Sequence, residues 1–236
     1  MSECPTGDSR DSVMRRVSVG PCTLYQADFR DVLPVLPGIA GVITDPPYGN
    51  VYRHKPSRSK WVRADTVHKP IIGNGEPFDP SPLLGFSRII LWGANYYAHR
   101  LPPSGKWLIW DKREDTGSDN GADCELAWTN LQGPTRMHRQ LWRGICRRGE
   151  ENVSRGGRRL HPNQKPVALM NWCLSQAGAK PGERWLDTHM GSASLGVACM
   201  RRGIGYVGVE IDPVHFRTAV KRLQRENKAP RLKEAS

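Results

Sequence analysis

The residues best suited to chemistry are Asp45, Pro46, Pro47 and Tyr48, in the run Thr44-Asp45-Pro46-Pro47-Tyr48-Gly49. A carboxylate followed by two prolines presents mainly hydrogen-bond acceptors, because Pro46 and Pro47 have no backbone N–H to set against the Asp45 and Pro46 carbonyls. Acceptors beside an aromatic ring suit a flat heterocycle with an exocyclic amine. Tyr48 stacks on the ring while the Asp45 carboxylate and the Pro46 carbonyl accept the amine hydrogens. Such an amine is a poor nucleophile, since its lone pair is delocalised into the ring. Acceptors on its hydrogens favour a more tetrahedral nitrogen and stabilise the positive charge that develops as it attacks. A proline-rich loop after an edge strand is the alternative reading of the same residues.

The elements that hold this turn follow from the hydrophobic runs. Ala40-Gly41-Val42-Ile43 is apolar and stops at the two prolines, so it reads as a buried strand with a rigid end. Residues 1 to about 20 are polar without a period and read as a loose arm. Cys22 to Gln26 reads as a strand and Asp28 to Leu33 as a short helix capped by Asp28, which puts that carboxylate at a strand's carboxyl end. Helix capping alone also accounts for an acid there. Arg88 to Trp92 and Lys106 to Trp110 are apolar enough for central strands, with Ala94 to His99 as a helix between them and Cys124 to Trp128 as a further strand. The five acidic residues from Asp111 to Asp123 lack the ligand spacing of a calcium loop and read as a solvated turn.

The last third is the most regular. His161-Pro162-Asn163-Gln164-Lys165-Pro166 leads into Val167 to Leu174, apolar at helical spacing, with Pro166 suited to a first helical turn. Arg184 to Asp187 (strand), Met190 to Ser194 (turn), Leu195 to Arg202 (helix) and Gly205 to Glu210 (strand) form a βαβ unit. Its small-residue turn sets backbone donors at a helix N-terminus, where an anionic group binds. Glu210, about 20 residues beyond the turn, ends the next strand, from which a carboxylate holds ribose hydroxyls in nucleoside-binding sheets. Many α/β proteins carry a glycine turn and a later acid for packing alone.

A length of 236 residues fits one α/β domain with elaborated loops. The expected boundaries are a flexible arm over 1–20, a domain over 21–228 with insertions near 50–78 and 130–160, and a basic tail over 229–236. Lys plus Arg number 35 against 23 Asp plus Glu, for a net charge of +12, which favours a polyanionic partner and nucleic acid first. Both insertions are basic, the first carrying Arg53, His54, Lys55, Arg58, Lys60, Arg63, His68 and Lys69. The second, from Arg136 to Arg159, mixes arginine with glycine and reads as a mobile segment that orders on a polyanion. With no long apolar span and no hydrophobic signal core at the start, the expectation is a cytoplasmic protein without membrane association. The six cysteines are scattered without zinc spacing and read as reduced core residues, so no metal is expected.

In their order, Asp45 to Tyr48, His161 to Pro166, Asp187 to Ser194 and Gly208-Val209-Glu210-Ile211-Asp212 resemble the motifs of the beta group of S-adenosyl-L-methionine-dependent DNA amino-methyltransferases, over roughly Cys22 to Leu223. The resemblance implies a doubly wound, mostly parallel Rossmann-like α/β sheet in permuted order, catalytic half first and cofactor half last. It implies methyl transfer to the N6 amine of adenine in double-stranded DNA by base flipping, with cytosine N4 as the nearest alternative. A non-catalytic DNA-binding protein of the same fold is the rival from another class. Asp45, Pro46, Pro47 and Tyr48 would then hold the flipped base, with Asp45 also bordering the cofactor. Asp187, Met190, Gly191, Ser192 and Ser194 would surround its methionine part, Glu210 its ribose, Asp28 and the Phe29 backbone its adenine. His161, Asn163 and Lys165 would close over it. The chain departs from the usual Asp-Pro-Phe-x-Gly-Ser-Gly-Thr turn at Thr188, His189, Ala193 and Ser194, and Ala193 adds a methyl where the backbone normally approaches the ligand. Members of the group often form dimers, so a homodimer is one expected assembly.

Overall fold

A computed structural model of the chain describes residues 14–36, 38–48, 77–117, 122–143, 146–149 and 164–229. In chain order the strands are β1 (Arg15–Val19), β2 (Cys22–Gln26), β3 (Gly41–Thr44), β4 (Ile89–Trp92), β5 (Trp107–Asp111), β6 (Cys124–Thr129), β7 (Arg136–Arg139), β8 (Trp142–Arg143), β9 (Cys146–Arg147), β10 (Arg184–Asp187) and β11 (Gly205–Glu210). The helices are α1 (Phe29–Val32), α2 (Val167–Gln176), α3 (Ser194–Arg201) and α4 (Pro213–Lys228).

Every residue of β3 and β4 is buried, as expected where both faces of a parallel sheet are covered. Alternate side chains divide between two apolar layers. Ile43, Ile90 and Trp92 pack with Leu169 and Cys173 of α2, Leu195 and Cys199 of α3, and Phe216 of α4. Val42, Ile89, Leu91 and Val207 face the other way, against Val32, Leu83, Ala94 and Tyr97. The sheet runs β1-β2-β11-β10-β3-β4-β6-β5-β7, with β8 and β9 forming a separate hairpin. β1 and β6 run against the other strands of that sheet.

This order positions the site. From β3 the chain adds β4 on one side, and from β10 it adds β11 on the other, so the winding direction reverses between β3 and β10. These two strands pair in parallel through Trp185 with Gly41 and Leu186 with Val42. A crevice opens at the carboxyl ends of strands that diverge in this way, and it is the usual ligand site of an open α/β sheet. Asp45 follows β3 and Asp187 ends β10, which puts both carboxylates at its mouth. The doubly wound, permuted α/β architecture expected from the sequence is therefore observed.

The structure corrects several details. Arg15–Val19, expected within a loose arm, is an edge strand paired antiparallel with β2; residues 1–13 lie outside the described residues. Ala94 to His99 is not a helix but two 3-10 turns, Ala94–Tyr96 and Ala98–Arg100. Six residues gain little from helix propagation. Instead Tyr97 turns back beneath the sheet, and its hydroxyl donates to the Trp92 carbonyl at 2.8 Å. The basic segment after Arg136 builds β7, β8 and β9. Pro166 is the N-cap of α2, with extended φ/ψ, one residue ahead of the expected place. The insertion over 49–76 and the stretch 150–163 lie outside the described residues. Among the described residues no helix is long and apolar enough to cross a membrane.

Candidate active site

The Asp45 turn is fixed from several sides. Tyr48 donates its hydroxyl to Asp45 Oδ1, and its ring lies flat on Tyr96, with centroids 4.8 Å apart and planes 17° from parallel. The ring fits because residue 93 is glycine. Gly93 has φ +67°, and a Cβ there would lie 1.8 Å from the Tyr48 ring.

Asp45 Oδ2 accepts from the Lys165 ammonium, which also lies 3.0 Å from Glu125 Oε2. Glu125 Oε1 in turn accepts from Lys112 Nζ at 2.8 Å. The Lys165 ammonium sits 5.6 Å from the centroid of the Trp92 ring, and its side chain is only 8% exposed. Burial pushes the Asp45 carboxyl above its ordinary range and Glu125 adds to this, while Lys165 and the Tyr48 hydroxyl act against it. Burial also opposes the charge on Glu125, but Lys165 and Lys112 outweigh it and bring Glu125 down to about 2. For Lys165 burial works against the charge, yet Asp45 and Glu125 prevail and hold it above the usual lysine range. Where two carboxylates share an ammonium, the acid with the second lysine keeps its charge and the other is the easier to protonate.

In the neighbouring turn the hydrogen bonds to the acids come from hydroxyls and backbone N–H groups. Asp187 Oδ1 accepts from the Thr44 hydroxyl at 2.9 Å and the His189 N–H at 3.2 Å, and Oδ2 accepts from the Tyr206 hydroxyl at 3.4 Å. Burial raises Asp187 to about 7, against the pull of these donors. Glu210 accepts from the Gly191 N–H at 3.0 Å and the Asp212 N–H at 2.9 Å, and burial raises it too. The His189 ring lies 5.1 Å from Phe29 and 5.5 Å from Phe78, and burial lowers it to about 4. Arg222 on α4 ties the turn down by donating to the Ser192 carbonyl and hydroxyl and the Ser194 hydroxyl, at 3.0–3.1 Å. Ala193 is left-handed, φ 57° and ψ 41°, and fully buried, so its methyl packs inside the protein rather than into the open crevice, contrary to the expectation from its sequence position.

Of the residues singled out by sequence, Asp45, Pro46, Pro47 and Tyr48 form the turn after β3, Asp187, Met190, Gly191, Ser192 and Ser194 lie along the turn from β10 to α3, and Glu210 at the end of β11 is bonded to that turn. Thr44 joins the two through its bond to Asp187. Asp28 caps α1 and pairs with Arg30, while Phe29 reaches the site through its ring on His189. Lys165, expected over the cofactor, bonds to Asp45. His161 and Asn163 lie outside the described residues. Sequence reasoning missed Glu125, Lys112, Thr44, Gly93, Tyr96 and Arg222. Glu125 was detectable as an acid within an otherwise apolar strand; the others gave no local signal. Among the described residues no group of acids, histidines or cysteines is arranged to hold a metal.

A family model described as DNA methylase matches residues 96–221, more than half of the chain, and the chain belongs to this N6/N4 DNA methylase family. It is 26% identical over 132 residues to the type II methyltransferase M2.DpnII of Streptococcus pneumoniae, covering 56% of this chain and 45% of that protein. It is 40% identical over 62 residues to the type II methyltransferase M.Cfr9I of Citrobacter freundii, covering 26% and 20%. The matches thus span less than half the length of these curated relatives. Among solved structures, the M1.HpyAVI–SAM complex superposes with a TM-score of 0.51 at 18% identity, covering 85% of this chain and 99% of that one. The PvuII cytosine-N4-specific DNA methyltransferase gives 0.52 at 12% identity, covering 89% and 92%. At such identities the likeness is one of fold.

Proposed function

We propose that the chain transfers a methyl group from S-adenosyl-L-methionine to the exocyclic amine of a base in double-stranded DNA, with adenine N6 as the target. The observation that carries this reading is the pairing, at the switch point of the sheet, of an acceptor turn with two adjacent acids, Asp187 buried and Glu210 half-buried, whose hydrogen bonds come from hydroxyls and backbone N–H groups. These acids fit the cofactor: carboxylates so placed favour a ligand that brings a sulfonium and an ammonium, and Glu210 at the end of β11 is placed for ribose hydroxyls. When bound, the cofactor supplies an activated methyl and its own leaving group.

The protein's residues provide orientation and charge. Tyr48 offers a ring face for an extruded base, and Asp45 with the Pro46 carbonyl accepts the amine hydrogens, which stabilises positive charge developing on the nitrogen. Asp45 need not act as a strong base, because the methylated amine is acidic enough to lose its proton afterwards. Holding the reactants in line supplies much of the remaining acceleration. Asp187, Met190, Gly191, Ser192 and Ser194 are assigned to the methionine part and Asp28 and Phe29 to the adenine, with His161 and Asn163 covering the cofactor.

The net charge of +12 supports DNA as the partner. Of the arginines expected to grip it, Arg147 is 6% exposed and lies over the Trp142 ring at 4.4 Å. Arg148 is exposed and pairs with Glu114 at 2.8 Å. The deciding experiment incubates the protein with labelled cofactor and plasmid DNA, digests the DNA to nucleosides and identifies the labelled one. N6-methyldeoxyadenosine is expected; label on cytosine N4 would reassign the base, and the absence of any saturable cofactor binding would replace the enzyme with a DNA-binding protein of the same fold.

A further inference from the structure

We infer that Lys165 is a positioning residue that keeps Asp45 in its acceptor form, and that Glu125 and Lys112 set how much of the Lys165 charge reaches Asp45. The inference rests on the methyl-transfer reading of the Asp45 turn.

Four charged side chains from different parts of the chain make one line of alternating sign: Lys112 just after β5, Glu125 on β6, Lys165 ahead of α2, and Asp45 after β3. Their charges sum to zero, so the line is balanced with no ligand in place. A buried charge without a counter-charge is costly, and groups so placed neutralise when they can. Asp45 has most reason to do so. Its neighbours are the Tyr48 hydroxyl from its own turn, the Tyr97 hydroxyl from the turn after β4, Glu125 from β6, Asp187 from β10, and Lys165. Of these, Lys165 alone brings a positive charge, while Glu125 and Asp187 both repel a charge on Asp45.

The protonation state decides what the turn can do. An ionised carboxylate only accepts, and its two oxygens have about four lone-pair positions. The Tyr48 hydroxyl and the Lys165 ammonium occupy one on each oxygen, so room remains for an amine hydrogen without expelling Lys165. A protonated Asp45 would instead set an O–H against the amine and lose the acceptor. Glu125 acts through Lys165: it draws the ammonium toward itself and adds its own negative field, while Lys112 offsets part of that field. Removing the lysine charge and removing the Glu125 charge should therefore move Asp45 in opposite directions, which a merely structural network would not do.

The test compares wild type with K165M, E125Q, the K165M/E125Q pair and K165R. Two readouts are used: the pH profile of single-turnover methyl transfer, and the carboxyl titration of Asp45 by carbon-13 NMR in cofactor-free protein, assigned with D45N. Because the acceptor form is the ionised one, rate rises with pH through the Asp45 midpoint. K165M should move that midpoint up, with rate falling about tenfold per pH unit below it. E125Q should move it down, the double variant should lie between, and K165R should restore the wild-type position. E125Q keeps the side-chain shape, so its downward shift decides the matter if K165M does not fold. Shifts of the same sign in K165M and E125Q, or an NMR titration that neither changes, would overturn the inference. If the NMR titrations shift as stated while the wild-type protein methylates no DNA, the charge linkage stands and the methyl-transfer reading fails instead.

Discussion

The two carboxylate groups at this crevice are neighbours, joined through Thr44, yet they handle charge in opposite ways. On the Asp45 side each buried acid has a lysine, and the line of charges is balanced without a ligand. On the Asp187 side the two acids, one buried and one half-buried, accept from hydroxyls and backbone N–H groups, and burial pushes both up toward their neutral forms although these donors, and His215 for Glu210, act against it. Burying a carboxylate without a cation costs stability. One half is thus complete by itself and suited to a neutral guest such as a nucleobase, while the other is left in deficit and suited to a guest that brings positive charge. The binding free energy of that guest offsets what the fold gives up.

The comparison breaks most readily at Asp45. If this carboxylate serves the amine and belongs to the balanced half, D45A should lower methyl transfer by on the order of 100- to 1,000-fold, the usual cost of losing one preorganised partner of a developing charge. Cofactor affinity should stay within about tenfold. Single-turnover rates and calorimetry on the same preparation check both numbers, and near-normal turnover would remove Asp45 from the chemistry.

The unbalanced half makes a prediction about stability and pH. Asp187 is raised in the folded protein to about 7, so this group's contribution is fully present below its unfolded value of about 4 and is lost as pH rises through about 7. His189 is lowered to about 4, so its contribution is present above about 6.5 and is lost as pH falls toward 4. Between about 4 and 6.5 the two oppose each other, and removing one should expose the other. Relative to wild type, unfolding free energy in D187N should rise with pH over that window. In H189F it should fall, each by up to about 1.4 kcal/mol per pH unit for one proton. Urea unfolding at several pH values, without cofactor, measures both slopes; parallel curves for the three proteins would show that neither group titrates as its burial implies.

Glu210 sharpens the same contrast at a smaller scale. E210A should weaken S-adenosyl-L-methionine binding by about tenfold or more, since charge-assisted bonds to hydroxyls are worth roughly 1.5–3 kcal/mol each at best. The loss should be selective, leaving DNA affinity unchanged. In the free protein Glu210 already accepts from Gly191 and Asp212, so a dissociation constant unmoved in calorimetry would mean that it serves only to shape the turn.

How much of this was legible in the sequence follows the range of the interactions involved. β3, β4, β10 and β11 were readable because each is a short apolar run that stops at a proline, a glycine or an acid, and the Asp45 and Asp187 turns were readable because their residue types carry their own geometry. The Asp28 cap was equally local. The lysine line was not legible, because its bonds join residues separated by 13 to 120 positions. Nothing near Lys165 in sequence shows that its partners are Asp45 and Glu125. Edge strand β1 was hidden by its composition: Arg15, Arg16 and Ser18 read as a solvated arm until β2 supplies a partner. The Ala94 to His99 stretch has the residues of a helix, and Gly93 with the buried Tyr97 overrides them.

The smallest expected effect concerns Ala193, where three terms of similar size meet. A left-handed alanine costs about 1–2 kcal/mol relative to the ordinary helical region, and glycine would remove that strain. Against this, glycine loses about 0.5–1 kcal/mol more on folding through its extra freedom in the unfolded chain, and the buried methyl, worth about 0.8 kcal/mol, is given up. The sum lies near zero, so A193G should shift the melting temperature by no more than about 2–4 °C in either direction. Its effect on the ligand depends on where the methyl points. Because Ala193 is fully buried in the free protein, the methyl is not part of the crevice surface. S-adenosyl-L-methionine affinity should therefore stay within about threefold of wild type, under 1 kcal/mol. Tightening of tenfold or more in calorimetry would show instead that the turn opens on binding and brings the methyl against the ligand, which would place the strain of residue 193 on the unbalanced half of the site rather than in the packing of α3.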